Sequence, residues 1–329
     1  MRLFLARIRD LILSIVKFLT KDIWVLDFSQ VGDARRRLLR NIQAFILTAQ
    51  GFARGRIARE SIALSHFTML AFIPMIAVIL FVSHSFGIDR LLEARLMESL
   101  PHGTEVVPVL TGYALNIIRA TESGAFGWIS FLSFVWTVIW LMMNVEVAFN
   151  RIWQVSQPRK FWYRFAVYLA ILFATPFVLM LFFSGWVYYV RFIGVLEGQL
   201  GVFHFITTNL FWLAVYGTTV LALSVMYTFI PHAKVRYGSA LKAAFIIGAI
   251  FVAIQYLYMG TQMMVTRLNA VYGAIAFIPL LIVWLNLCWQ VILFGAQLSR
   301  GYTMVDYREA RERGLSDLSE EDAVKLKYE

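Results

Sequence analysis

The chain has 329 residues, of which 60% are hydrophobic and only 15% are charged. The charged share lies well below the roughly 25% of soluble domains, so the composition excludes an ordinary soluble protein and indicates a polytopic membrane protein. The single cysteine, Cys288, excludes a disulfide framework and a cysteine-based metal site. The net charge of +10 indicates either an anionic partner or a location next to anionic groups.

The N-terminal region, residues 1–60, is basic and amphipathic. Residues 1–24 carry apolar side chains at helical spacing with arginine and lysine between them, which predicts a helix lying on the membrane surface. Residues 34–53 repeat the pattern behind a cluster of arginines. A solvated helix packed on the protein's own cytoplasmic face is the alternative. Charged residues interrupt the first apolar stretch and no cleavage pattern follows, so we expect no cleavable signal.

Residues 61–300 contain six stretches that are each long enough to cross a bilayer, which takes about 20 apolar residues of helix. We therefore predict an all-α fold with six transmembrane helices. The mixed segment 88–120 between the first two spans predicts amphipathic helices at the far membrane surface, and residues 301–329 predict a charged cytoplasmic tail. The predicted spans cover residues 62–82, 126–149, 165–190, 202–230, 241–265 and 273–298.

The distribution of lysine and arginine predicts the orientation. The N-terminal region, the 150–164 loop, the 231–242 loop and the C-terminal stretch from Arg300 onwards hold 12, 4, 3 and 6 of these residues, which is 25 of the 30 in the chain. Positive charge accumulates on the cytoplasmic side of membrane proteins, so both termini are expected on that side. Anionic lipid head groups on that side then explain the net charge, and we expect no nucleic-acid partner.

Polar residues inside the predicted spans indicate a candidate polar pocket that opens to the cytoplasm. Glu146 is the one acidic residue within a span, and a carboxylate at membrane depth is usually paired, protonated or turned towards a cavity. In the last span Asn286, Gln290 and Gln297 fall within about 40° of one another on one helix face. The predicted pocket comprises His66, Glu146, Asn150, Gln290 and Gln297.

Two alternatives for these residues remain open. Glu146 lies near the end of its span. In one alternative its side chain reaches the membrane surface or pairs with Arg151 or Arg164. In the other alternative, the five residues form hydrogen bonds between helices, each worth on the order of 1 kcal/mol, and they line no pocket.

Small residues and prolines mark candidate packing and hinge positions. Ala240, Ala244 and Gly248 recur at every fourth position of the fifth span, which permits close approach of a neighbouring helix. Pro74 and Pro176 each remove a backbone donor and predict kinks, which are hinges in some transporters and static in most membrane helices.

Sequence motifs for catalysis and for cofactors do not occur. The chain has no phosphate loop, no HExxH metal motif, no dinucleotide fingerprint and no serine nucleophile elbow. Its five histidines are scattered singly, so no metal cluster is predicted. We therefore expect a protein that is not an enzyme and that needs no cofactor.

Several stretches resemble the YihY/BrkB family of bacterial inner-membrane proteins, once labelled ribonuclease BN. They are RESIALSHFTMLAFIPMIAVI at 59–79, FNRIWQV at 149–155 with PRKFWYR at 158–164, MYTFIPHAKVRYGSALKAA at 226–244 and VYGAIAFIPLLIVWLNLCWQVILFGAQLS at 271–299. The resemblance implies six spans with both termini cytoplasmic, and it suggests lipid or envelope transport and virulence-related resistance. The long basic N-terminal segment departs from short members of the family.

The leading functional hypothesis is a transporter or flippase-like protein that handles a lipid or another amphipathic envelope substrate. Membrane lipids are its expected partners, and self-association into a homo-oligomer is left open. The alternative is a structural or partner-binding membrane scaffold whose polar groups only hold helices together. Ribonuclease activity needs metal-binding carboxylates or a positioned acid–base pair, and no cytoplasmic loop offers one.

Overall fold

A computed structural model describes residues 32–54, 57–85, 124–155, 159–174, 203–266 and 270–312. Within these ranges the elements are α-helices and no strand occurs, so the all-α prediction is confirmed there. Residues 1–24 and 88–120, Pro176 and the tail beyond residue 312 lie outside the described residues. The described helices are α1 (Asp33–Arg54), α2 (Ile57–Ser85), α3 (Gly124–Ile152), α4 (Phe161–Ala174), α5 (Phe203–Phe229), α6 (Tyr237–Thr266) and α7 (Ala270–Glu312).

Four of the described helices are long and apolar enough to cross a membrane: α3, α5, α6 and α7. Their outward faces carry large apolar side chains, such as Trp136 on α3, Leu221 on α5 and Leu257 on α6. Helices that are apolar on all sides need an apolar solvent, which a bilayer provides. The first predicted span falls within α2 and the third is described only to residue 174, so the count of six stays a prediction.

Helix α7 is the axis of the bundle. It packs against α1, α2, α3, α5 and α6. Between Gly295 and Asp306 every residue except Arg300 is buried, because other helices surround this half of α7. The helix passes residue 300 without a break and continues to Glu312, so the part predicted as a tail begins inside the bundle.

Small residues set the distances between the helices. A Cβ atom at Gly301 would lie 2.7 Å from the carbonyl oxygen of Ala44, so α1 and α7 touch through their backbones at this point. On α6 the small residues Ala240 and Ala244 are fully buried, and a Cβ at Gly248 would lie 2.8 Å from the Val220 side chain of α5. The sequence pattern at 240, 244 and 248 thus lies where α6 meets its neighbours.

Candidate functional site at one end of the bundle

A cavity of about 390 Å³ lies at one end of the bundle, between α1, α2, α3 and the C-terminal half of α7. Because α1 and α2 contribute their facing ends and α3 its C-terminal end, the cavity lies where three helix ends meet the axial helix. Its lining combines apolar and polar side chains: Leu47, Gln50, Gly51, Ile57, Glu60, Ala148, Arg151, Ile152, Gln154, Leu293, Gln297, Arg300, Gly301 and Met304.

The Gln297 side chain occupies one wall of the cavity in direct contact with α1. Gln297 is almost fully buried, and a Cβ atom at Gly51 would overlap its Nε2 atom. Only a residue without a side chain leaves room for this amide. Any substitution at Gly51 therefore has to move Gln297 or project into the cavity.

An ion pair joins α2 to α3 beside the cavity. Arg151 donates through Nη1 to Oε1 of Glu60, which lies in the first turn of α2. The Arg151 side chain is 66% exposed and that of Glu60 is 23% exposed, so both groups remain within reach of water. A pair at this exposure contributes little stability and exchanges partners readily.

Helix α3 ends in a turn that places the Gln154 side chain beside the cavity. The amide of Val155 donates to the carbonyl of Asn150 (2.9 Å) and the amide of Gln154 donates to that of Arg151 (3.1 Å), which is the Schellman pattern. Gln154 has a φ of 57°, the left-handed conformation that usually takes glycine. Its Oε1 atom accepts a hydrogen bond of 2.7 Å from Nη2 of Arg300.

Glu146 lies in a second, largely buried polar cluster that joins α3 to α4. Its side chain is 0% exposed, and its Oε2 atom accepts hydrogen bonds from Nε of Arg164 (2.8 Å) and from the hydroxyl of Tyr168. Arg164 also donates through Nη2 to the carbonyl of Met143 at 3.2 Å. The Oε1 atom of Glu146 has no hydrogen-bond partner among the described residues.

Asn150 lies one turn after Glu146 and is also buried. Its Oδ1 atom accepts a hydrogen bond of 2.7 Å from the backbone amide of His232, which ties the end of α3 to the segment after α5. Its Nδ2 atom finds no partner in the described part of the chain. Asn150 therefore links α3 to the segment after α5, while its neighbour Arg151 lines the cavity.

The five residues of the predicted polar pocket do not converge on the cavity. Gln297 lines it, whereas Glu146 and Asn150 share one buried face of α3. Gln290 is half-buried and donates to Asn286 on its own helix at 2.5 Å. His66 is exposed on the outer surface of α2 next to Phe67. Gln290 and Gln297 lie about two turns apart along α7, and the rotation of each helix about its axis turns the other side chains in different directions.

The family model described as "Virulence factor BrkB" matches residues 48–318, well over half of the chain. This chain belongs to the BrkB family. It is similar to UPF0761 membrane proteins of Acinetobacter baylyi (28% identity, 79% of this chain and 62% of the relative), of Chlorobium luteolum (28%, 82% and 61%) and of Aliivibrio salmonicida (26%, 78% and 81%). The chain thus spans about three fifths of the first two relatives' length. No solved structure matches it.

The family and the apolar helices together identify an integral membrane protein of the BrkB/UPF0761 family. The resemblance noted from the sequence motifs is thereby confirmed. Among the described residues of this BrkB-family chain, no group of three or more histidine, cysteine, aspartate or glutamate side chains is placed to hold a metal ion.

A third cluster of the BrkB-family chain was not predicted from its sequence. Asp306 of α7 is buried and accepts a hydrogen bond from Arg40 of α1, another of 2.9 Å from Ser239 of α6, and lies 3.8 Å from Nη1 of Arg236. One signal was present, because Ser299, Thr303 and Asp306 form a polar stripe of their own at helical spacing. The cavity residues Glu60, Gln154 and Arg300 carried no comparable signal.

Proposed function

We propose that this BrkB-family protein is a transporter or flippase-like protein that handles a lipid or another amphipathic envelope substrate. The observation that carries the proposal is the cavity at the end of the bundle. Its volume of about 390 Å³ falls in the roughly 300–1,000 Å³ range of small-molecule sites. One part of an amphiphile, such as a head group with the adjoining chain segments, fits this space.

The chemistry of the cavity wall supports an amphipathic substrate. Leu47, Ile57, Leu293 and Met304 provide apolar surface, while the arginines, glutamines and the Glu60 carboxylate provide polar groups on the same cavity. A site for a purely polar solute has no use for four large apolar side chains. A site for a purely apolar molecule would leave the buried amide of Gln297 without partners.

The topology that we propose places this cavity on the cytoplasmic side. In the proposed arrangement the protein has six spans in the bacterial inner membrane and both termini in the cytoplasm. The end of the bundle that holds the cavity also holds the 150–164 and 231–242 loops. The basic residues of these loops support a cytoplasmic location for that end. The basic side chains there meet anionic head groups, which concentrates lipid substrates at the cavity mouth.

We further propose that the protein is not an enzyme and uses no bound cofactor. The sequence offers no phosphate loop, so movement of the substrate would follow its gradient or the gradient of an ion. Membrane lipids are the proposed partners, and nucleic acid is not one of them.

The second candidate function is a membrane scaffold that transports nothing. Two observations favour it, since the Glu146 and Asp306 clusters both join helices through hydrogen bonds and ion pairs. Neither cluster lines the cavity, however, so a scaffold role for them is compatible with transport elsewhere in the bundle.

A lipid-transfer assay separates the two candidates. The full chain is reconstituted into phosphatidylcholine vesicles that carry traces of a fluorescent lipid in both leaflets, and dithionite then bleaches the outer leaflet. The transporter hypothesis predicts that inner-leaflet fluorescence also disappears as lipid crosses. Vesicles without protein provide the background rate.

Cavity-filling variants make this assay specific. Gly51→Leu places four carbons against Gln297 in the cavity, so we expect lipid transfer to fall to the background rate. Gly217→Leu is the matched control, because a Cβ at Gly217 meets nothing within 4 Å. If wild-type vesicles transfer no lipid above background, the scaffold function replaces the transporter. If Gly51→Leu transfers lipid like the wild type while folded, the cavity is not the route.

A further inference from the structure

Among the described residues that line the cavity, positive charges outnumber negative ones. Two of its fourteen lining residues are arginines, Arg151 and Arg300, and one is a carboxylate, Glu60. Glutamines at 50, 154 and 297 add amide groups that donate hydrogen bonds as well as accept them. This set of donors suits an anion that accepts several hydrogen bonds at once.

One partner of the Arg300 side chain is a neutral amide. Nη2 donates to Oε1 of Gln154, the residue that ends α3 with a φ of 57°. This conformation is unfavourable for a non-glycine residue, because its Cβ atom crowds the following carbonyl oxygen. Glutamine at this position therefore destabilises the end of α3, but it holds the Arg300 guanidinium group at the cavity. Backbone strain of this kind is found at binding sites.

The Arg151 side chain is held by an internal anion. Glu60 supplies one carboxylate to it, and the arginine is 66% exposed, so an incoming anion reaches the same guanidinium group. A phosphate group makes the same type of charge-assisted hydrogen bond to arginine as a carboxylate does. Glu60 then acts as a competitor that a bound anion must displace.

We propose that the cavity binds the phosphate group of an anionic amphiphile between Arg151 and Arg300, with Glu60 as the counter-ion that the phosphate displaces. The assignment rests on the proposed function and gives its substrate a chemical class. A free phosphate ester presents the same group without acyl chains, and it is the other source of this chemistry.

The test is a binding titration of the full chain in uncharged detergent, followed by native mass spectrometry. The probes are phosphatidylglycerol, which carries a net negative charge, phosphatidylcholine, whose phosphate is balanced by its own cation, and glycerol 3-phosphate, which has no acyl chain. The variants are Arg151→Gln, Arg300→Gln and Glu60→Gln. Lys234→Gln is the matched control, because Lys234 is exposed near the start of α6 and does not line the cavity.

We expect phosphatidylglycerol to bind more tightly than phosphatidylcholine. Loss of either arginine should weaken phosphatidylglycerol binding about tenfold or more, the usual effect of losing a hydrogen bond to a charged group. Removal of the competing carboxylate in Glu60→Gln should strengthen it several-fold, and Lys234→Gln should leave it unchanged. A melting curve for each variant shows that the chain is folded, and a gain of affinity in Glu60→Gln cannot arise from misfolding.

The outcomes separate the anion site from the lipid function. If glycerol 3-phosphate shows the variant pattern and phosphatidylglycerol does not bind, the anion site stands and the lipid function fails. If phosphatidylglycerol affinity is unchanged in both arginine variants, or if it falls as much in Lys234→Gln as in them, the anion site is refuted. If vesicles then show equal transfer of both lipids, the proposed function holds without the anion site.

Discussion

Replacement of Glu146 by leucine tests how much the buried polar cluster stabilises the bundle. Glu146 is 0% exposed and Arg164 is 11% exposed, so the variant leaves a buried guanidinium group without its carboxylate and the Tyr168 hydroxyl without its acceptor. Breaking a buried pair in this way costs roughly 3–5 kcal/mol. We expect a loss of that size in the free energy of unfolding.

The matched control is Glu60→Leu, which breaks the pair with Arg151. Because the Arg151 side chain is 66% exposed, water replaces the lost carboxylate, and the expected loss is below about 1 kcal/mol. The two variants make the same chemical change, so the difference between them reports the burial of the Glu146 cluster together with its additional hydrogen bond from Tyr168.

Equilibrium unfolding in mixed micelles, with increasing dodecyl sulfate, provides the measurement. The double variant Glu146→Leu with Arg164→Leu removes both charges, and it should recover most of the stability lost in the single variant. If Glu146→Leu unfolds with the same free energy as Glu60→Leu, the pair with Arg164 does not stabilise the bundle in the way its burial implies.

Three further predictions concern the end of α3, the membrane orientation and RNA cleavage. Gln154→Gly removes the strained conformation and should raise the free energy of unfolding by about 1 kcal/mol, measured by the same unfolding titration, while it releases Arg300 and weakens anion binding. A loss of stability would contradict the assignment of strain. A reporter fused after Glu312 should read as cytoplasmic and one inserted at 193–201 as external, since 25 of 30 lysines and arginines lie on the first side; the reverse pattern would invert the proposed orientation. Purified protein should cleave RNA no faster than a mock preparation, and cleavage that follows the protein through several columns and disappears in a point variant would contradict this.

The long apolar helices were predictable because length and hydropathy are sufficient to identify them. The predicted spans at 126–149, 202–230, 241–265 and 273–298 correspond to α3, α5, α6 and α7, although the helices do not end where the apolar stretches do. The end of α7 was the least predictable. Arg300 resembles the end of a span in the sequence, but α1 covers the following turns through the contact of Gly301 with Ala44.

The rotation of each helix was not predictable from an apolar sequence. His66 faces outward, whereas Gln297 faces the cavity. Since most faces of α2 are apolar, its hydrophobic pattern does not select the inward one. The partner of Glu146 had two candidates in the sequence, and the structure selects Arg164 because Arg151 pairs with Glu60.

Chemical blocking of the cavity within one sample tests the central claim most directly. Gln50 lines the cavity and is exposed, so Gln50→Cys in a Cys288→Ala background places the only thiol of the chain at the cavity mouth. Lys234→Cys in the same background is the control. Lipid transfer in reconstituted vesicles is measured before and after alkylation with a bulky maleimide. We predict that alkylation stops transfer by the Gln50→Cys variant and not by the Lys234→Cys variant, and equal transfer before and after alkylation at position 50 would contradict a lipid route through this cavity.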